Sequence, residues 1–389
     1  MEKNKIIQIL CHSLDNDISL YHHVYRGWPA RTLRDINIKT KKYILEAWYP
    51  VRNLKQINTF IKDYIVYRLF PAYSLNPILD SFFPTVRSPL LYKELKKQDA
   101  KKTIVSFQGE RGLLIHKALN ELPNLKYTIQ YHGYGQPGWL EWIEKLLISP
   151  LERKNFKYVS HFFVHIQKRI DYLKNNIQID KQKIDYHQVG VDFQKFKPRN
   201  KKNARKKLHI PLDAFIMLYV GKLIKSKGVD KILKVYQILK KKYQHLYLIF
   251  IGIDKTDPLY SLSKRIADKI LGNLPNDQLP LYYNAADVYC FFGTNKTRLY
   301  AGPGTATMEA LASDINVVST NNVHFPDTIV KKIGLIPKSF NDFLNNIEFL
   351  IKNPLYQIKP RKIVTPYVSF EYTTTNLIKT YDKLLSEKE

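Results

Sequence analysis

The chain has 389 residues, 44% of them hydrophobic, which excludes disorder and exceeds one ordinary core, so two domains are expected. A formal net charge of +28 points away from a small neutral partner and toward polyanions or an anionic membrane face, with a lysine-rich surface for solubility as the bland alternative. The two cysteines, Cys11 and Cys290, sit in apolar runs and read as buried free thiols of a reducing compartment, because no paired spacing suggests a disulfide or a metal.

Residues 1–5 are charged and the apolar run 6–11 is too short for a signal peptide, so residues 5–13 are predicted to be the first strand. No apolar run reaches membrane-spanning length, and the expected location is the cytoplasm, at most peripheral on the inner membrane face. A helix is predicted at 28–36 after Arg26-Gly27, and a strand at 43–48 ending before Pro50. In 57–92, Phe60, Ile61, Tyr64, Ile65 and Tyr67 fall near helical spacing, which favours a core helix over a membrane-facing surface, followed by an irregular segment. Strands are expected at 103–107 and 127–131, the second ending in His132-Gly133. A histidine there either faces a ligand at the mouth of an α/β site or is a satisfied structural group. A last strand of the first domain is predicted at 162–165 with a helix at 167–174, and the basic run 195–207 reads as a linker.

The second half repeats a strand, loop and helix pattern. Residues 215–220 form an apolar run ending in Gly221-Lys222, followed by Lys227-Gly228 and a helix with Val229, Ile232, Leu233 and Tyr236 on one face. Both lysines should project from the carboxyl end of a strand, where open α/β sheets bind ligands. A strand at 246–251 ends at Gly252, and 281–292 reads as a short helix feeding a strand. In 301–319 a glycine loop with Gly302 and Gly304 runs into a helix starting at Thr305, Ala306 and Thr307, whose unpaired N–H groups suit phosphate. Glu309, one turn in, is an acceptor suited to ribose hydroxyls.

Gly190-Val191-Asp192 with Phe196 and Pro198, Gly221-Lys222 with Lys227-Gly228, Tyr282-Asn284-Ala285-Ala286-Asp287, and Gly304 with Glu309-Ala310-Leu311-Ala312 occur in an order and at gaps that are informative together. With them, residues 186–330 resemble the nucleotide-sugar-binding half of GT-B-fold retaining glycosyltransferases, the "glycosyl transferases group 1" class. The resemblance implies an α/β fold of two Rossmann-like domains facing across a cleft: an acceptor-side domain at 1–196, a nucleotide-sugar domain at 197–364, and a C-terminal helix at 365–389 crossing back to the first. A strand at 365–371 would serve as a second hinge. It further implies that Lys222 and Lys227 hold the donor diphosphate, that Gly221, Gly302, Gly304, Thr305 and Ala306 add backbone contacts, that Glu309 binds the ribose, and that His132 contacts the donor sugar.

Transfer with retention in such a fold needs no protein nucleophile, and no metal or cofactor is expected, the nucleotide sugar being a substrate. The acceptor implied is a lipid-linked or other glycan at a membrane surface. Four positions depart from the pattern: Ala301 stands where a second glutamate is usual, Asp314 and Asn316 where Gly and Pro are preferred, and Val189 where Asn is preferred. Ala301 keeps open a catalytically weak or inactive nucleotide-binding subunit. A nucleic-acid-binding or nucleic-acid-modifying protein is the other alternative, resting on charge alone without a recognised motif.

Overall fold

The computed structural model describes residues 3–17, 20, 24, 30–76, 78–81, 83–109, 111–131, 144–293, 304–320 and 325–387. The chain divides into two compact units, one of residues 1–189 and 373–389, the other of residues 190–372. From sequence the boundaries are expected after 196 and 364.

The first unit is built on a sheet of ten strands: β1 (Lys5–Leu10), β2 (Leu14–Asp15), β3 (Ile44–Arg52), β4 (Asn58–Lys62), β5 (Ile65–Ser74), β6 (Val86–Arg87), β7 (Thr103–Gln108), β8 (Lys126–Tyr131), β9 (Val159–Val164) and β10 (Ile184–Tyr186). Their order is β10-β9-β8-β7-β1-β3-β5-β4, with β2 beside β3 and β6 beside β5. All pairings are parallel except β4 with β5 and β5 with β6. Alternate residues of β1 serve opposite faces, Ile7 and Ile9 joining one buried cluster and Ile6 and Leu10 the other. Strands covered on both faces read as continuous apolar runs, which is why β1, β7 and β8 were visible in the sequence.

The helix Phe370–Ser386 crosses into this unit. Its Leu377, Tyr381 and Leu384 bury against Ile6, Leu10 and Ala47. The Tyr381 hydroxyl donates to Ser106 Oγ at 3.2 Å, and Lys42 pairs with Asp382.

Several elements differ from expectation. Residues 58–74 form an antiparallel hairpin, not a core helix: Asp63 and Tyr64 both have positive φ (50° and 61°), giving the tight turn, while Phe60 stacks on Tyr67 at 5.0 Å. The β-branched and aromatic content of this stretch outweighed its chance 3.6-residue spacing. The second strand runs on through Pro50, which falls between the stretch of β3 paired with β1 and the stretch paired with β2, so no partner on that side needs its missing N–H. The strand at 159–164 is not the last of its unit, because β10 pairs with it. The basic run contains a helix, Lys201–Leu208, whose N-cap Asn200 accepts from the Asn203 N–H at 2.9 Å. Residues 361–368 are helical despite Pro366, and of the expected hinge strand there remains one bridge between Val191 and Ser369. Pro366 lies two residues from the helix end, so it costs little of the hydrogen-bond ladder.

The second unit carries a parallel sheet ordered β13-β12-β11-β14-β15, of β11 (Phe215–Val220), β12 (Leu246–Ile251), β13 (Lys269–Leu271), β14 (Val288–Phe291) and β15 (Asn316–Ser319). The helix Val229–Lys240 buries Val229, Ile232, Leu233 and Tyr236, the face predicted for it. Cys11 and Cys290 are both buried, and neither is in a disulfide. Among the described residues no helix is long and apolar enough to cross a membrane.

Candidate active site

The carboxyl ends of β11, β12 and β14 open into a cavity of about 600 Å³ within the second unit. Gly221, Lys222, Lys227, Gly304, Thr305, Ala306 and Glu309, seven of the residues singled out from sequence, all line it. Gly302 and His132, together with Ala301 and Arg26-Gly27, lie outside the described residues.

The loop after β11 is held tightly. A side chain at Gly228 would place its Cβ 1.7 Å from the carbonyl oxygen of Phe292, so only glycine lets the helix Val229–Lys240 start against the end of β14. At Gly221 a Cβ would lie 3.6 Å from Lys227 Nζ, which shows that the ammonium reaches back over the glycine. The Tyr219 hydroxyl donates to the carbonyl of Lys222 at 2.8 Å. Asp257 then ties this loop to the one after β12: its Oδ2 accepts the N–H of Leu223 at 2.9 Å and that of Asp254 at 3.2 Å.

Burial, and then the nearby charge of Lys222, hold the Lys227 ammonium below the ordinary lysine range, with Asp257 opposing the shift. The exposed Lys222 and the half-buried Lys227, placed together, suit a polyanion. The helix Thr305–Ala312 adds to this. It begins after Gly304 with no side-chain cap, so among the described residues the N–H groups of its first turn are left to the cavity.

Glu309 is 4% exposed, and both its oxygens are engaged. The Tyr283 hydroxyl donates to Oε2 at 2.9 Å and Asn276 Nδ2 donates to Oε1 at 3.3 Å. Each carboxylate oxygen has a second lone pair, so the group can still accept from a ligand in the cavity it lines. Burial, followed by the charge of Glu309, pushes the Tyr283 phenol far above its ordinary value and keeps it a donor.

The residues Asn284 and Asp287 turn out to be braces. Asn284 Nδ2 donates to the carbonyls of Pro280 and Lys197, and its Oδ1 accepts from the Arg199 N–H. Asp287 Oδ2 accepts from Arg205 at 2.7 Å and from the Ile216 N–H at 2.6 Å, and Oδ1 pairs with Lys201 at 2.8 Å. These contacts fix the helix Lys201–Leu208 to the edge of β11. At the other end of Thr305–Ala312, Arg361 donates to the carbonyls of Ala312, Phe196 (2.6 Å) and Phe193 (2.8 Å). Asp314, where glycine is usual in the class, has φ 62° and accepts from the Arg361 N–H at 2.9 Å, so a side-chain bond supports the left-handed turn.

Sequence reasoning missed Asp257, Tyr283, Asn276 and Arg361 as supports of the site. The turn-rich run 254–258 was the one local signal for Asp257.

Residues 200–365 match the model of the family described as "Glycosyl transferases group 1". The capsular polysaccharide biosynthesis glycosyltransferase CapM of Staphylococcus aureus is 28% identical over 42% of this chain and 44% of its own length. The chain spans less than half the length of the curated relatives it matches. Among solved structures, sucrose-phosphate synthase from Thermosynechococcus elongatus superposes with a TM-score of 0.65 over 99% of this chain and 100% of that one, at 16% identity. Anabaena HepE in complex with UDP gives 0.66 over 97% and 100%, at 13% identity. At such identities the likeness shows the fold. The chain has the GT-B fold, and residues 200–365 match the glycosyl transferases group 1 family over less than half of the chain.

Proposed function

We propose that the chain transfers a sugar from a nucleoside-diphosphate sugar to a hydroxyl of a glycan or lipid-linked acceptor, with retention of configuration. The observation that carries this reading is the convergence of Lys222, Lys227, the uncapped helix start at Thr305 and Glu309 on one cavity. The solved HepE structures contain UDP and, in one case, UDP-glucose, and the S. aureus relative is named for capsular polysaccharide biosynthesis. In this reading the two ammonium groups and the helix N–H groups stabilise charge on the departing diphosphate. Glu309 accepts the ribose hydroxyls. The acceptor hydroxyl attacks from the face the diphosphate leaves and gives its proton to the departing phosphate oxygen, so positioning does the rest. The lysines answer the diphosphate charge themselves, so turnover should survive a chelator.

A panel of nucleotide sugars, screened by thermal stabilisation, should return one preferred donor. With it, Lys222→Ala and Lys227→Ala should each cut turnover by about two orders of magnitude, the scale of losing a contact to developing charge. Near wild-type rates in both variants would sink the assignment.

We also propose that the protein works at an anionic membrane face. The tip of the β4–β5 hairpin leaves Ile61 72% and Tyr64 80% exposed, and Lys41 Nζ lies 4.9 Å from the Tyr64 ring centroid. Apolar tips beside lysines suit a lipid headgroup layer.

A further inference from the structure

Glu309 is held from two sides, and both supports lead to one short segment of the second unit. The Tyr283 hydroxyl donates to its Oε2 at 2.9 Å and Asn276 Nδ2 to its Oε1 at 3.3 Å. Behind Tyr283 stands Phe196, 2% exposed, whose ring meets the phenol ring edge-on with centroids 5.8 Å apart. Behind Asn276 stands Lys195, whose Nζ donates to Oδ1 of the same amide at 3.1 Å. Neighbouring residues of one turn thus reach both anchors of the carboxylate.

That turn is stiff. Asp192 Oδ1 accepts the N–H groups of Gln194 and Lys195, both at 2.9 Å, and the Asp192 carbonyl accepts that of Phe196. The Arg361 guanidinium donates to the carbonyls of Phe193 and Phe196. Asp192 and Phe196 belong to the sequence pattern shared with the glycosyltransferase class, yet neither lines the cavity.

Asn276 itself is exposed, so packing does not decide which way its amide faces. Lys195 does. An ammonium has three donors and no acceptor, so only the amide oxygen can face it, and the NH₂ is then turned to Glu309. Without the ammonium the amide can turn its oxygen toward the carboxylate or swing into solvent, and either motion takes a donor from Oε1. The terminal torsion of a glutamate is broad unless its oxygens are held, whereas two vicinal ribose hydroxyls ask for acceptors in a fixed plane.

We propose that Lys195 is a positioning residue for nucleotide recognition: acting through Asn276, it fixes the plane of the Glu309 carboxylate and so sets the preference for a ribose carrying its 2′ and 3′ hydroxyls. This rests on Glu309 as the ribose acceptor. Lys195 acts without touching the nucleotide, so its loss is read in selectivity and leaves the hold on the diphosphate intact.

Calorimetric titration of UDP, GDP and ADP picks the diphosphate that the parent binds most tightly, and that one is compared with its 2′,3′-dideoxy form. The parent should prefer the ribose form by roughly tenfold, the scale of the hydrogen bonding lost. Lys195→Met, which keeps the stem and removes the ammonium, should shrink that preference several-fold while the dideoxy form binds as it does to the parent. Lys195→Arg, again a pure donor, should keep the preference of the parent. Asn276→Ala should shrink it as far as Lys195→Met does, and combining the two should change nothing further, because they act in series. The proposal is overturned if Lys195→Met weakens both forms equally, which would make Lys195 a surface cation for the diphosphate, or if that variant keeps the full preference. A parent that binds both forms equally, or binds none of the diphosphates, removes the ribose reading of Glu309 itself and this inference with it.

Discussion

The two units differ in how their ligand-facing surfaces are made. In the second, the cavity is built from backbone: glycines at the ends of strands, an uncapped helix start, and two lysines on a loop only a few residues long. In the first, the surface described depends on side chains brought together from different stretches, Lys41 with Tyr64 at the hairpin tip. Backbone sites impose glycine and short spacing on the sequence and leave a motif. Sites assembled from side chains across a sheet leave none.

The sharpest way to break this comparison is at Gly228. Gly228→Ala drives a Cβ into the Phe292 carbonyl, a backbone atom that cannot swing away, and should cost more than about 3 kcal/mol and lower the melting temperature visibly. A variant as stable as the parent would mean that the close approach is not a constraint.

Next comes Asp287, whose carboxylate joins Arg205, Lys201 and the Ile216 N–H. Asp287→Ala strands the largely buried Arg205 guanidinium and should cost about 2–3 kcal/mol, below the full penalty for a buried pair because Asp287 is partly exposed. Chemical denaturation measures it. The expectation is a loss of stability with donor affinity in the surviving folded protein nearly intact, which separates a brace from a ligand contact.

Asp257→Asn should act in the opposite sense. The amide can still accept from Leu223 and Asp254, so the fold should hold, but the bonds lose their charge assistance and the Lys227 loop loosens. A several-fold weaker nucleoside diphosphate affinity with an unchanged melting temperature is expected.

The pH dependence follows from Lys227. Its pKa lies below the ordinary 10.5, so its ammonium is lost earlier than usual as pH rises, and diphosphate affinity should fall through that window. Lys227→Arg, charged throughout, should flatten the fall. Without ligand the sign for folding is reversed: between the two pKa values the unfolded chain binds more protons, so stability contributed by this group rises with pH. The smallest expected effect is at the hairpin tip, where Ile61→Ser with Tyr64→Ser should reduce binding to anionic vesicles a few-fold without changing soluble turnover.

What the sequence disclosed follows the same division. The strands β1, β7, β8, β11 and β12 were visible because burial on both faces makes them continuous apolar runs, and the grouping of Lys222, Lys227 and Glu309 on one cavity because glycine loops set them just past a strand and one turn into a helix. The hairpin at 58–74 was misread because Phe60, Ile61, Tyr64 and Tyr67 fit a helical period by accident, while the turn rests on Asp63 and Tyr64, neither a glycine, in left-handed geometry. Arg361 was invisible as a brace because its carbonyl partners, Phe193, Phe196 and Ala312, leave no side-chain signal at all.

The most direct test of the central claim is calorimetric titration of UDP and the other nucleoside diphosphates into the parent and into Lys222→Ala/Lys227→Ala and Glu309→Gln. The account predicts one preferred diphosphate, affinity reduced by about 100-fold or more in the double lysine variant, and a smaller loss, roughly tenfold, in Glu309→Gln, whose neutral amide accepts more weakly from the ribose. Unchanged affinity in the double lysine variant would contradict it, because the diphosphate would then be held somewhere other than the loop between β11 and the helix Val229–Lys240.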